Sequence, residues 1–174
     1  SVWEHARSRI VWLLILMFSA TLTGSIISNY EHAFEVMPVL VSFIPMLMDT
    51  GGNCGSQSST LIIRGLAIDE IKFSDFFKVV FKEFRISIIV GILLGIANGI
   101  RIIVLNHDPY LAMVVSASIV VTVMISKFVG CVLPIIAKKF KMDPAIMAAP
   151  LITTIVDTLA IMVYFSIASQ IFHL

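Results

Sequence analysis

Ile10 to Ser28 is a run of nineteen residues without a charge, set between Arg7 and Arg9 before it and Glu31 after it. At 1.5 Å of rise per residue, about 20 apolar residues in a helix cross the hydrocarbon of a bilayer. Four more long apolar runs follow, at about 36–63, 86–105, 111–137 and 145–172. Only 13% of the chain is charged and 59% is hydrophobic, against the roughly 25% charge of a soluble domain. The expected fold class is therefore an all-α integral membrane protein with five transmembrane helices, in one membrane domain covering residues 1–174. A formal net charge of +1 gives no reason to expect nucleic acid. Cys54 and Cys131 fall in apolar segments without CxxC spacing, so they read as small buried hydrophobes and not as a metal or redox pair. Ser1 to Arg9 has no start Met and no signal-peptide pattern, and looks like a cut from something longer.

The runs differ in what interrupts them. The first carries Trp12 one turn in, at interfacial depth, and small residues suited to close helix packing. In the second, Pro45 removes a backbone donor and Asp49-Thr50-Gly51-Gly52-Asn53 follows where a spanning helix should be most apolar; the proline and the glycine pair together predict a kink or local unwinding. Asp49, Asn53 and Gln57 recur every four residues and would share one helix face. That stripe either glues two helices together or faces water and cations. Residues 64–85 read as a loop holding a Ser74-capped helix in the membrane interface, with Phe76, Phe77, Val80, Phe81 and Phe84 on one side and Lys78 and Lys82 opposite. Gly91, Gly95 and Gly99 form a ridge for helix packing in the third run. Asn106-His107-Asp108-Pro109 signals a tight turn. Lys127, inside the fourth run, either snorkels or pairs with an intramembrane acid. Asp143-Pro144 is an N-cap followed by proline at the first helical position.

Five spans put the termini on opposite sides. With the N-terminus in the cytoplasm, every basic residue of the connecting segments except Arg101 lies inside, as the positive-inside rule favours. This orientation makes the chain a multi-pass cell-membrane protein with an extracytoplasmic C-terminus. The outer turns then carry Glu31, Glu35 and Asp108, an acidic mouth that would concentrate cations. No internal repeat is visible, unlike the inverted repeats of many coupled transporters.

Asp157 lies near the midpoint of the last run. An acid there costs about 2.5–3.5 kcal/mol on insertion scales, so it is expected to face a partner or a wet cavity. One reading is a buried helix contact, with Asp157 paired to a lysine or protonated. The other is a water-facing carboxylate that meets a cation. Pro150 stands two turns earlier and Thr153 one turn earlier, so Ala149, Thr153 and Asp157 make a line of oxygens suited to a hard cation. A two-fold dimer would bring two copies of Asp157 together. Two close carboxylates repel unless a divalent ion sits between them. Magnesium, which keeps several waters, could be held there through its hydration shell.

Pro45-Met46-Leu47-Met48-Asp49-Thr50-Gly51-Gly52-Asn53-Cys54-Gly55-Ser56-Gln57 with Arg64-Gly65-Leu66-Ala67 resembles the second-span signature of the MgtE magnesium channels. Lys127-Phe128-Val129-Gly130 with Leu133-Pro134, Asp143-Pro144-Ala145, and Pro150-Leu151-Ile152-Thr153-Thr154-Ile155-Val156-Asp157 are similar to later signatures of that family. The resemblance covers essentially the whole chain in order. It implies a homodimer in the lipid bilayer with a magnesium-selective pore between subunits, lined by the second and fifth spans. It makes Asp157 the ion-binding acid, with Thr153 and Ala149 lining the same site. Asp49, Gly51, Gly52, Asn53, Gln57 and Thr154 are then expected along the pore. Family members also carry a cytoplasmic N-terminal domain and paired CBS domains that sense magnesium, and neither is present in these 174 residues. Manganese, cobalt and calcium are competing ions.

The expected function is passive movement of Mg2+ into the cytoplasm, and the chain is not expected to be an enzyme. A coupled divalent-cation exchanger on the same fold is the alternative. Asp49 and Asp157 could also form the dyad of an intramembrane aspartyl protease, but the Tyr-Asp and Gly-x-Gly-Asp contexts of those enzymes are absent. A purely structural membrane scaffold is the remaining reading.

Overall fold

The computed structural model describes residues 1–174, apart from the side chains of residues 146–149. Six α-helices account for most of the chain: α1 (Val2–Ser28), α2 (Glu31–Val36), α3 (Ile44–Ala67), α4 (Phe76–Asn106), α5 (Pro109–Lys139) and α6 (Pro144–Phe172). Short 3-10 turns, Pro38–Phe43 and Phe73–Asp75, lead into α3 and α4. Among the described residues, four helices are long and apolar enough to cross a membrane; they are α1, α4, α5 and α6. The 24-residue α3 is long enough, at about 36 Å, but falls short in hydropathy because Asp49 to Thr60 is rich in polar and small residues.

α5 is the hub, packed against α3, α4 and α6, while α3 also meets α6 and α1 leans on α6. Short, well-capped connections set this antiparallel order. At one end of α4, His107 takes a left-handed conformation (φ 52°) and Asp108 accepts from the backbone N–H of Tyr110 and Leu111, both at 3.0 Å. Asp143 caps α6 in the same way, accepting from the Ala145 N–H, with Pro144 in the first turn. The main apolar core gathers around Leu40, Phe43, Leu47, Val115, Tyr164 and Phe165. There the buried Tyr164 hydroxyl donates to the Leu40 carbonyl at 2.8 Å and so ties the Pro38–Phe43 turn to α6.

Four expectations are corrected. The second run does not begin a helix at Val36: α2 ends there, Pro38 opens a 3-10 turn, and α3 starts at Ile44. Pro45 does not kink α3, because it sits in the first turn, where its missing N–H has no partner to lose. Gly51-Gly52 does not unwind the helix either. A Cβ on Gly51 would stand 2.7 Å from Val156 Cγ1 and one on Gly55 2.7 Å from Ile152 Cγ2, so these glycines let α3 press directly onto α6. Nor is there a separate interfacial helix before residue 86. Asp75, not Ser74, is the N-cap residue of α4, and the helix continues unbroken for 31 residues. The reason is Glu83 and Ser87, one turn apart and both buried, which turn the start of α4 inward while Phe77, Phe81 and Phe84 stay outside.

The glycine ridge of α4 packs as expected. A Cβ on Gly91 would lie 3.3 Å from Val120 Cα, and one on Gly99 2.8 Å from Ser116 Oγ, both on α5.

Candidate functional site

The two sides of α3 are chemically opposite. Gly51, Gly52, Cys54, Gly55, Ser58 and Ser59 are buried against the bundle, and Asp49, Asn53, Gln57 and Thr60 are exposed. The i, i+4, i+8 recurrence read from the sequence thus becomes one outward polar stripe. Asn53, Ser56, Gln57, Thr60 and Leu61 line a groove of about 710 Å³ along it. Such a face is incompatible with lipid, since a bilayer core offers its polar groups no hydrogen-bond partner.

Asp157 projects from α6 into a second hollow. It is half-buried in a cavity of about 320 Å³ shared with Thr153 and Thr154, with Met48 of α3, and with Leu16 and Thr23 among the residues contributed by α1. Across this cavity's edge the Thr23 and Thr158 hydroxyls hydrogen-bond at 3.2 Å. No ion pair forms at Asp157 among the described residues. The lysine partner of the alternative reading is therefore not found there. Thr153 and Thr154 both donate their hydroxyl hydrogens to the Pro150 carbonyl, at 3.0 and 2.9 Å. Their lone pairs remain as acceptors beside the carboxylate, and hydroxyl and carboxylate oxygens are the ligand chemistry of hard cations.

Gly52 faces Thr153, whose Cγ2 a Cβ would approach to 3.4 Å. The structure thus brings the two signatures of the sequence together at the α3–α6 contact. Gly51 and Gly52 lie inside that contact, Asp49, Asn53 and Gln57 outside it. Asp49 is not among the residues lining the Asp157 cavity, so the two acids do not share a hollow. The Ala149 side chain lies outside the described residues. Among those described, no group of three His, Cys, Asp or Glu side chains could hold a metal ion. Among the described residues lining this cavity, Asp157 is the single carboxylate offered to a cation.

The sequence reading missed Glu83. It is buried on α4, where it accepts from the Ser58 hydroxyl of α3 at 2.7 Å. Lys127 of α5, also buried, donates to the same hydroxyl at 3.3 Å and stands 3.8 Å from the Glu83 carboxylate. Lys127 is thus a partner in a buried ion pair and does not snorkel. The signal was the four-residue spacing of Glu83, Ser87, Gly91 and Gly95, a line of acid and small residues on one helical face.

Residues 44–167 match the family model MgtE, described as a divalent cation transporter. The chain is 38% identical over 168 residues to the magnesium transporter MgtE of Bacillus subtilis (strain 168), a match covering 97% of this chain and 37% of that protein. It is 34% identical over 161 residues to the magnesium transporter MgtE of Thermus thermophilus, covering 92% of this chain and 36% of that one. The same-named protein of Enterococcus faecalis is 32% identical over 167 residues, covering 96% of this chain and 37% of the relative. The chain therefore spans little more than a third of the length of these relatives, and by both measures it belongs to the MgtE family.

Proposed function

We propose that this chain is the membrane domain of a magnesium transporter and that Mg2+ passes between two copies of it, along the polar face of α3 and past Asp157. The observation that carries this reading is the outward stripe Asp49, Asn53, Gln57 and Thr60 on a helix packed against α5 and α6, two of the four membrane-length apolar helices. A polar face in that setting needs water or a second protein surface. A two-fold partner supplies both by enclosing a wet path between two α3 stripes. α3 is then a fifth span, tolerable in lipid because its polar side is covered.

Within this arrangement Asp157 attracts the cation, and the hydroxyl oxygens of Thr153 and Thr154 with the carbonyl of Ala149 add neutral ligands. Mg2+ dehydrates reluctantly. A sparse oxygen site of one carboxylate per protomer suits an ion that keeps most of its water and is released quickly. Mn2+, Co2+ and Ca2+ can occupy the same oxygens, and the wet, shared geometry favours the ion whose hydrated form fits. The basic connecting segments favour a cytoplasmic N-terminus and an extracytoplasmic C-terminus, and through a passive path Mg2+ then moves inward down its electrochemical gradient. The relatives' names as magnesium transporters support the choice of ion, and cytoplasmic domains that sense magnesium are the expected regulators.

Reconstituted in liposomes, the wild-type chain should pass Mg2+ down its gradient without a sodium or proton gradient. A strict requirement for either gradient would favour the coupled exchanger. Asp157→Ala should remain folded and lose selective flux; undiminished selective flux in that variant removes Asp157 from the mechanism.

A further inference from the structure

Where the N-terminus of α4 meets the C-terminus of α5, Phe73, Phe76, Phe77, Ile135, Ile136 and Lys139 line a pocket of about 580 Å³ that the ion path does not use. Both helices run 31 residues, about 46 Å, so their ends project beyond a hydrocarbon layer about 30 Å thick. A pocket at one end of two such helices suits the level where lipid headgroups meet acyl chains. Its walls are open on the outer side: Phe77 is 82% exposed and Ile136 41%. The exposed row continues along α4 through Phe81 and Phe84 toward Ile89 and Leu93, the surface that bilayer lipid must cover.

Charge selects the lipid. Lys138 is already engaged, donating to the Leu66 carbonyl at 2.7 Å and lying 3.9 Å from Asp69. Lys139, exposed at the pocket's edge, forms no ion pair or side-chain hydrogen bond among the described residues. An ammonium beside an aromatic and aliphatic hollow matches a molecule with a negative head and an apolar tail.

We propose that this pocket binds one anionic phospholipid, its phosphate on Lys139 and the start of an acyl chain between Phe76, Phe77 and Ile136. The inference rests on the membrane setting of the helices and not on ion conduction, so it stands or falls apart from the flux experiment. A lipid wedged there would hold the ends of α4 and α5 together on their outer side.

Native mass spectrometry of the protein released from nanodiscs of phosphatidylcholine with a minor fraction of phosphatidylglycerol tests the site. Wild-type protein should retain phosphatidylglycerol in excess of its share of the bilayer. Lys139→Gln should reduce that excess about fivefold, the factor for roughly one basic side chain near an anionic surface, and Phe77→Ala should reduce it too. Lys82→Gln removes an equal charge from an exposed position of α4 that does not line this pocket, and should leave the excess intact. Retention of the two lipids in proportion to the bilayer overturns the proposal. So does an equal loss in Lys82→Gln, which would mean a diffuse basic surface. A change of oligomeric state without loss of lipid in Lys139→Gln or Phe77→Ala would make the pocket a contact between copies, and also overturns it.

Discussion

Replacing Lys127 by Met removes one half of the buried pair that joins α3, α4 and α5. Glu83 and Lys127 are 7% and 5% exposed, and their charged atoms stand 3.8 Å apart. At an effective dielectric of about 20 that separation corresponds to roughly 4 kcal/mol, in line with the 3–5 kcal/mol typical of stranding one buried charge. The separation is long for a direct hydrogen bond, so the Ser58 hydroxyl, giving its hydrogen to Glu83 and its lone pair to Lys127, fixes the geometry. Lys127→Met and Glu83→Gln should each lower the melting temperature by about 6–20 °C, taking roughly 2–4 °C per kcal/mol for a domain of this size. The double variant leaves no net charge buried and should recover most of that loss. Thermal unfolding in detergent, followed by loss of the monodisperse chromatographic peak across all four proteins, gives the coupling directly. Additive losses in the double variant, or a single-variant shift under about 2 °C, would refute a coupled pair.

Other consequences follow from the same contacts. A Cβ on Gly130 runs into the Gly55 carbonyl, so Gly130→Ala should push α3 from α5 and cost about 1–3 kcal/mol or more. Gly24→Ala, with nothing within 4 Å, should be neutral or stabilise by up to about 1 kcal/mol, and the same unfolding assay ranks the two. Tyr164→Phe leaves the Leu40 carbonyl without its buried donor and should cost about 1–3 kcal/mol; an unchanged melting temperature would show that this bond does not anchor the turn. Asn53→Leu with Gln57→Leu should cut Mg2+ flux in liposomes by at least tenfold while leaving the fold intact. Full flux in that variant would place the ion path elsewhere. Mg2+ should raise the melting temperature of the wild type but not of Asp157→Ala, because only a site present in the folded state stabilises by mass action.

The all-helical class and four of the apolar helices were legible in the sequence because long apolar runs with few charges have few alternatives; α3 falls short of them in hydropathy, and the short α2 was not foreseen. The Asp49-Asn53-Gln57 face was legible for the same kind of reason, since a four-residue recurrence needs only that the segment be helical. What failed was local punctuation. Pro45 and Gly51-Gly52 were read as breakers, yet whether proline breaks a helix depends on its distance from the helix start, and Pro38 had already moved that start to Ile44. Glycine loosens an exposed helix but lets a buried one approach its neighbour, and only the tertiary partner decides between the two. Glu83 was hidden because its surroundings are basic and aromatic, which suggested a surface helix; its partners lie 25 and 44 residues away, beyond any local pattern.

The same division explains why α3 is built from residues ill suited to a membrane helix. Its inner face must be small, or α5 and α6 could not close on it at Gly51, Gly55 and Gly130. Its outer face is polar, and that polarity contributes nothing to packing within the chain, since the residues are exposed. Ser58 and its ion pair then fix the rotation of α3 from behind, so the stripe in front cannot turn into the bundle to satisfy itself. A helix held by an internal charge pair so that its amides and hydroxyls point outward is costly in lipid. The cost is offset only where something polar lies opposite, which is the requirement that the proposed path for a hydrated ion between two copies would meet.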